Sequence, residues 1–180
     1  MYDVLIIDPP WQKKKGGLRK SRPNQGRELD YATMATEAIF DLLDKEVFIL
    51  AEEHHVVFMW TIEQFLTECD VEMLKRGYKR HIRIVWNKTN GIAPAFTIRY
   101  AHEYLVWYYK PKLLKIADTQ RGKHISVITE KARQHSRKPD AAYVMVNNLY
   151  PDSKKIDVFS REKRPGFSQW GDQIKFFHSG

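Results

Sequence analysis

The sequence predicts an α/β protein with a doubly wound, mainly parallel sheet. Short runs rich in Val, Ile and aromatic residues alternate along the chain with segments of helical period. The first run, residues 2–8, contains four consecutive large aliphatic residues, which is typical of a strand buried on both faces of a parallel sheet. Because no internal repeat and no linker interrupts the pattern, we expect one domain over residues 1–180.

Glycine, proline and charge place the elements of the first half. Residues 12–30 are basic and aperiodic, which predicts a flexible basic loop. Apolar residues at helical spacing over 36–53 predict a helix. Residues 55–60 predict a strand, followed by a helix that Thr61 caps and Gly77 ends.

The remaining elements are a helix near residue 140, a short segment near the end of the sequence and four further strands. Pro139 and Asp140 mark the start of a helix that runs to about Leu149, because proline suits an early helical position and Asp140 faces the positive end of the dipole. Residues 170–177 suggest a short helical turn or an edge strand. The other predicted strands cover residues 79–86, 100–109, 125–128 and 154–159.

Composition limits the partners. The formal net charge of +8 suggests a polyanionic partner such as nucleic acid, although a merely basic surface has the same charge. The single Cys69 rules out an internal disulfide and a Cys-rich zinc framework, and the histidines lack metal-ligand spacing, so we expect no metal. Since no apolar run is long enough to span a membrane and no signal-peptide pattern appears, we expect a soluble, cytoplasmic protein with no membrane contact.

The tetrapeptide Asp8-Pro9-Pro10-Trp11 follows the first strand at once. A strand cannot continue through two prolines, so Asp8 is expected at the carboxyl edge of the sheet, where ligands bind in open α/β folds. A carboxylate beside a fixed carbonyl offers two acceptors for an NH2 group, such as the exocyclic amine of adenine. Trp11 offers a ring on which a base can stack; the alternative is a tryptophan packed in the core.

Further blocks share the order of a known family. They are 30–34 (DYATM), 57–61 (VFMWT), 85–88 (VWNK), 102–106 (HEYLV), 136–140 (SRKPD), 155–161 (KIDVFSR) and 170–173 (WGDQ). With the tetrapeptide, they resemble the S-adenosylmethionine-dependent N6-adenine methyltransferases with the Asp-Pro-Pro-Trp motif. That family includes eukaryotic messenger-RNA enzymes and many bacterial and phage DNA enzymes.

The resemblance implies a Rossmann-like class I methyltransferase fold, permuted so that the catalytic motif precedes the cofactor strand. It implies catalysis at Asp8, Pro9, Pro10 and Trp11, with S-adenosylmethionine as the cofactor. The implied cofactor-binding residues are Asp8 near the methionine end, Lys138 at the carboxylate, and Arg161, Asp172 and Gln173 at the ribose and adenine. From the residues alone, Lys138 and Arg161 also suit solvated cations, and Asp172 and Gln173 suit a cap of the last turn.

The substrate implied by the resemblance is adenine in DNA, favoured over RNA, in a bacterial or phage-infected cell. Specificity is expected from loops 12–30, 88–100 and 112–124, and a homodimer is possible. Asp172 stands where the family commonly has Asn, and the wall around the cofactor adenine must come from elsewhere than the upstream segment of many members. The candidate substrate-binding residues are Trp11, Lys13, Lys14, Lys15, Arg19, Lys20, Arg22 and Tyr31.

Three other functions remain open at the level of the sequence. The first is N6-methylation of RNA adenine, which uses the same chemistry. The second is a catalytically silent nucleic-acid-binding subunit, against which the intact Asp-Pro-Pro-Trp argues. The third is methylation of a protein amide or a small molecule, although relatives of that kind usually begin the motif with Asn.

Overall fold

A computed structural model describes residues 1–12, 32–90, 98–134 and 137–173. None of the helices in these ranges has the length and apolar character needed to cross a membrane. The helices are α1 (Thr36–Leu42), α2 (Leu66–Lys75) and α3 (Asp140–Leu149). The strands are β1 (Tyr2–Ile7), β2 (Ala51–Thr61), β3 (Lys79–Asn87), β4 (His102–Lys110), β5 (Val127–Thr129), β6 (Lys155–Val158) and β7 (Ser168–Trp170).

The seven described strands form one sheet in the order β5-β3-β4-β2-β1-β6-β7. β1 lies between β2 and β6 and is parallel to both. β4 runs against its two neighbours, β2 and β3, while the other adjacent pairs of described strands are parallel. The predicted α/β fold with a mainly parallel sheet is therefore confirmed.

The hydrophobic core has two layers, one on each face of the sheet. Leu5 and Ile7 of β1 belong to the cluster that packs against α1 and α2. Val4 and Ile6 belong to the cluster that packs against α3. All four side chains are fully buried, because successive residues of a strand point to opposite faces and both faces are covered.

The predicted helix over 36–53 is wrong in its second half. α1 ends at Leu42, and a π-helical turn (Leu43–Val47) and a 3₁₀ turn (Phe48–Leu50) follow. β2 then begins at Ala51, which pairs with Tyr2 of β1. The last residues of the predicted helix, 51–53, thus join the sheet, because pairing with the neighbouring strands satisfies their backbone groups there.

The predictions for the two ends of the next helix have different outcomes. Thr61 belongs to β2 and does not cap α2, which follows a 3₁₀ turn over Glu63–Phe65. Gly77 does end the helix, as predicted. Its φ of 81° lies in the left-handed region. The N–H of Gly77 donates to the Leu74 carbonyl, and the N–H of Tyr78 donates to the Met73 carbonyl. These two hydrogen bonds are typical of a helix that ends at a glycine.

The first part of loop 112–124, one of the loops from which specificity is expected, packs against the end of α3. The N–H of Ala117 donates to the Leu149 carbonyl, and the hydroxyl of Tyr150 donates to the Leu114 carbonyl. Leu149 is the last residue of α3, which runs back toward the amino ends of the parallel strands. This part of the loop therefore lies at the edge of the sheet opposite Asp8.

His55 makes the folded state sensitive to acid. Its Nδ1 lies 2.6 Å from the Glu52 carbonyl and its Nε2 lies 2.8 Å from the Tyr78 hydroxyl. Burial lowers the pKa of His55 below its usual 6.5, so the unfolded chain binds a proton more readily. We expect the free energy of unfolding to fall as pH drops below about 6.5. Urea titrations at pH 7.5 and 5.5 measure how much the free energy of unfolding falls between the two pH values. This fall should be smaller in His55→Gln, and an equal fall in both proteins would exclude His55 as the cause.

Candidate active site

The turn after β1 is braced by backbone hydrogen bonds. The N–H of Asp8 donates to the Val158 carbonyl at 3.1 Å, which extends the pairing with β6 by one residue. The N–H of Trp11 donates to the Pro9 carbonyl at 2.8 Å, and the N–H of Met34 donates to the Pro10 carbonyl at 2.8 Å. Asp8 therefore lies on a fixed backbone at the carboxyl edge of β1, as its sequence context predicts.

A cavity of about 290 Å³ opens at this edge, between the ends of β1 and β6. Its volume is near the lower end of typical small-molecule sites, about 300 Å³. All the candidate catalytic and cofactor-binding residues line it: Asp8, Pro9, Pro10, Trp11, Lys138, Arg161, Asp172 and Gln173. The other candidate substrate-binding residues lie outside the described residues: Lys13, Lys14, Lys15, Arg19, Lys20, Arg22 and Tyr31.

Trp11 is anchored in the core at the wall of the cavity. Only 6% of it is exposed, its Nε1–H donates to the Trp60 carbonyl at 3.0 Å, and its ring stacks on Phe65 with centroids 5.3 Å apart. The core packing considered for Trp11 is thus what the structure shows, although the residue still reaches the cavity. Stacking of a base on Trp11 stays a prediction, and the ring surface covered by Phe65 is not available for it.

Lys138 reaches the cavity from the start of α3 and is not a solvated cation. Its side chain is 10% exposed, and Nζ lies 3.1 Å from Oδ1 of Asp8 and 2.9 Å from Oε2 of Glu103. Nζ also lies 5.4 Å from the centre of the Trp60 ring. Burial alone would lower the pKa of Lys138, but the two carboxylates raise it, so the ammonium stays charged. Lys138 therefore links the turn after β1 to β4.

Glu103 is the residue of this cluster to which the sequence assigned no role. It is buried on β4, and its other carboxylate oxygen lies 2.5 Å from Nζ of Lys88. Burial alone would raise the pKa of Glu103, but Lys138 and Lys88 outweigh it and lower the pKa to about 2. The sequence does contain a sign of this role, because Glu103 lies within an aromatic run that predicts a buried strand. A buried glutamate is rare unless it is paired with a cation, so a partner for Glu103 could have been expected.

Asp8 is the carboxylate with the raised pKa in the row of alternating charges Asp8, Lys138, Glu103 and Lys88. Burial raises the pKa of Asp8, Lys138 opposes this rise, and Glu103 adds to it. The carboxylate is thus held by one ammonium in a poorly solvated position. A carboxylate in this state is a strong hydrogen-bond acceptor for a group that enters the cavity.

The far wall of the cavity is aromatic and tightly built. Phe159, at the end of β6, has a φ of 59°, which is rare for a bulky residue. Its ring meets that of Trp170 edge to face, with centroids 5.4 Å apart. Gly171 follows with a φ of 136°, and a Cβ there would lie 3.1 Å from the Phe159 Cα. Asp172 and Gln173, which follow Gly171, line the same cavity as the two rings.

Comparison with known proteins agrees with this geometry. The chain is 27% identical to a putative N(6)-adenosine-methyltransferase MT-A70-like protein of Medicago truncatula, over 96% of this chain and 26% of that protein. It is 26% identical to the N(6)-adenosine-methyltransferase subunit METTL3 of Danio rerio, over 98% of this chain and 29% of that protein. It is 23% identical to the type II methyltransferase M.MunI of Mycoplasma sp., over 96% of this chain and 78% of that protein.

The chain spans about a quarter of the length of the MT-A70-like relatives that it matches. The matches nonetheless cover 96% or more of this chain. The sequence profile of the MT-A70 family covers residues 2–173. This chain therefore belongs to the MT-A70 family.

Proposed function

We propose that the chain transfers a methyl group from S-adenosylmethionine to the exocyclic N6 amine of adenine in a nucleic acid. The observation that carries this proposal is the pair of acceptors at the mouth of the cavity, the Asp8 carboxylate and the Pro9 carbonyl. The Pro9 oxygen accepts one bond from Trp11, and a carbonyl oxygen has a second lone pair for a ligand. Two acceptors held on a rigid turn suit an NH2 group with two hydrogens.

The residues of the cavity fit S-adenosylmethionine. Three lining residues are acidic, Asp8, Glu103 and Asp172, and two are basic, Lys138 and Arg161. S-adenosylmethionine has two positive centres, the sulfonium and the ammonium, and one carboxylate, so the charges of the lining and the cofactor are complementary. Lys138 would hold the carboxylate, and Asp172 is an acceptor for the ribose hydroxyls.

The cofactor supplies an electrophilic methyl group, and the chain supplies position and charge. Asp8 and the Pro9 carbonyl orient the amine and favour the tetrahedral nitrogen of the transition state over the planar ground state. The nitrogen would take the methyl group as the methyl–sulfur bond breaks, with S-adenosylhomocysteine as the leaving group. The methylated nitrogen would then lose a proton, and the Asp8 carboxylate would accept it. Lys138 keeps the Asp8 carboxylate ionised in its buried position.

Trp170 is proposed as the wall against the cofactor adenine. It is half-buried, it lines the cavity, and it directly precedes Gly171 and Asp172. Stacking of a base on an aromatic side chain contributes about 1–3 kcal/mol, so we expect Trp170→Ala to weaken binding of S-adenosylhomocysteine by roughly tenfold or more. Isothermal titration calorimetry of the two proteins measures this difference.

Trp170→Phe is the matched control, because it keeps an aromatic face at the same place. We expect its affinity for S-adenosylhomocysteine to stay within about threefold of the original protein, since phenylalanine retains most of the stacking surface. Equal affinity of Trp170→Ala and the original protein would place the adenine elsewhere in the cavity.

DNA is the polymer that we propose, with RNA as the second candidate. The net charge of +8 suits either polymer. The DNA proposal rests on the similarity to the bacterial type II methyltransferase M.MunI, of which the chain covers 78%. RNA is favoured by a different observation: several relatives are named for adenosine, the ribonucleoside. The catalytic turn does not distinguish the two, because the N6 amine is the same in both polymers.

The test uses purified protein, methyl-labelled S-adenosylmethionine and three matched polymers: duplex DNA, single-stranded DNA and RNA. We expect the label in N6-methyladenine, and none with Asp8→Ala. More label in DNA than in RNA supports the DNA proposal, and the reverse order replaces it with RNA. Cofactor binding without transfer to any polymer would contradict the proposed reaction and favour a silent binding subunit.

A further inference from the structure

The start of α3 is held by a cluster of guanidinium and carboxylate groups that the proposed chemistry does not use. We propose that Arg164 is a positioning residue that sets the location of the Lys138 ammonium between Asp8 and Glu103. This inference rests on the proposed function only for its consequence in catalysis, since the geometry itself can be tested without the reaction.

Arg164 lies in a basic stretch that is easily taken for a solvated loop, yet only 6% of it is exposed. Its guanidinium lies 3.7 Å from the centre of the Tyr143 ring on α3. Nη1 donates to Oδ1 of Asp140 at 2.6 Å, and Nη2 donates to the Lys138 carbonyl at 3.2 Å. Arg164 therefore holds the Lys138 backbone and the Asp140 side chain, one on each side of Pro139. Arg133, which is more exposed, makes the same two contacts from the other side: its Nη2 donates to the Lys138 carbonyl at 3.1 Å and lies 2.8 Å from Oδ1 of Asp140.

The second carboxylate partner of Arg164 ties it to the cofactor wall. Oε2 of Glu162 lies 3.2 Å from Nη2 of Arg164, and Arg137 binds the same carboxylate with Nε and Nη2 at 2.7 and 3.1 Å. Glu162 directly follows Arg161, which lines the cavity. The segment after β6 and the segment before α3 are thus locked to each other at the back of the site.

Fixing the backbone of Lys138 matters because its side chain is long and flexible. A lysine has four side-chain torsions, so holding its Nζ between two carboxylates costs conformational entropy. A fixed Cα reduces the number of conformations that Lys138 samples and so lowers this cost. Pro139 already restricts Lys138 to an extended backbone. Glu130 caps the helix by accepting from the N–H groups of Asp140 and Ala141 at 3.0 and 2.9 Å.

The chemistry of the contacts requires arginine. One planar guanidinium contacts a carboxylate on each side, donates to a backbone carbonyl and stacks on an aromatic ring. Lysine offers the same charge but no fork and no flat face. Arg164→Lys therefore removes the buried guanidinium contact with the Lys138 carbonyl while it keeps the charge in place, and leaves the more exposed contact of Arg133.

The test compares Arg164→Lys with Arg76→Lys as the matched control. Arg76 also forms a forked pair, with Asp44, but it lies away from the cavity. In crystal structures, we expect Nζ of Lys138 beyond 3.5 Å from the Asp8 carboxylate in Arg164→Lys and still near 3.1 Å in Arg76→Lys. In methyl transfer, we expect kcat to fall about tenfold or more in Arg164→Lys, with KM for the polymer changed less than about threefold.

Asp140→Asn is the second variant if Arg164→Lys folds poorly. Its side chain is 53% exposed, so the exchange is tolerated by the fold while it weakens the contact with Arg164. We expect kcat to fall in this variant too, but by less than in Arg164→Lys. The inference is overturned if Lys138 keeps its contact with Asp8 in Arg164→Lys, or if Arg76→Lys lowers kcat equally. A protein that transfers no methyl group contradicts the proposed function, while the Lys138–Asp8 distance still decides the role of Arg164.

Discussion

Asp8→Ala is expected to lower the rate of methyl transfer by about 10³-fold, the cost of removing one group that stabilises charge in a transition state. The physical reason is that alanine removes one of the two acceptors that orient the amine and leaves no carboxylate to receive its proton. The measurement is incorporation of methyl label into N6-methyladenine at saturating cofactor. The affinity for S-adenosylhomocysteine, measured beside it, reports whether the cavity is intact.

Asp8→Asn is the closer control because it keeps the size of the side chain. We expect a loss of more than about 10²-fold, since one acceptor becomes a donor that faces the amine. Neither variant should lose stability at pH 7. Burial raises the pKa of Asp8, so the folded state holds the proton more tightly than the unfolded chain, and ionised Asp8 opposes folding at neutral pH. Activity of Asp8→Asn equal to that of the original protein would remove Asp8 from the mechanism.

Lys138→Met is expected to lower both stability and activity. Its removal leaves the carboxylates of Asp8 and Glu103 without their shared cation in a buried site, which costs about 3 kcal/mol by analogy with other broken buried pairs. We expect methyl transfer to fall by about 10²-fold, because Asp8 then tends to take up a proton and ceases to be a good acceptor. Chemical denaturation and the transfer assay measure the two effects.

The stability loss of Lys138→Met should depend on pH. The pKa of Glu103 is about 2 in the folded protein, below its usual 4.5, so its contribution to stability is present above about pH 4.5 and is lost as pH falls toward 2. The difference in the free energy of unfolding between Lys138→Met and the original protein should therefore become smaller below pH 4.5. Lys88→Met is the matched control, because Lys88 contacts Glu103 but not Asp8. Equal losses of activity in both variants would show that the Lys138–Asp8 contact has no separate role.

Local chemistry explains the parts of the fold and site that the sequence determined by itself. Two prolines end β1 because they lack N–H groups and fix φ, so the place of Asp8 at the edge of the sheet follows from four adjacent residues. Gly77 ends α2 because only glycine adopts φ = 81° without strain. In each case the cause lies within a few residues of the effect, which a sequence displays directly.

Tertiary structure decided which groups meet inside the site. Lys138 and Glu103 are 35 residues apart in the chain, and their pairing depends on β4 lying where it does in the sheet. The burial of Arg164 follows from contacts with α3, and its basic neighbours gave no sign of it. The sequence was compatible with Trp11 as a ring for base stacking and as a core residue, and only its packing against Phe65 shows that it belongs to the core.

The same distinction applies to the fold. Apolar residues at helical spacing extended the predicted helix to residue 53, but pairing of Ala51 with Tyr2 of β1 starts the strand there. Loop 112–124 is basic like the segments near Asp8, yet the direction of β4 carries its first part to the opposite edge. A sequence therefore determines where many helices and strands end, because the residues that end them are local. The neighbours of each helix or strand depend instead on the strand order and on which faces of the sheet are covered.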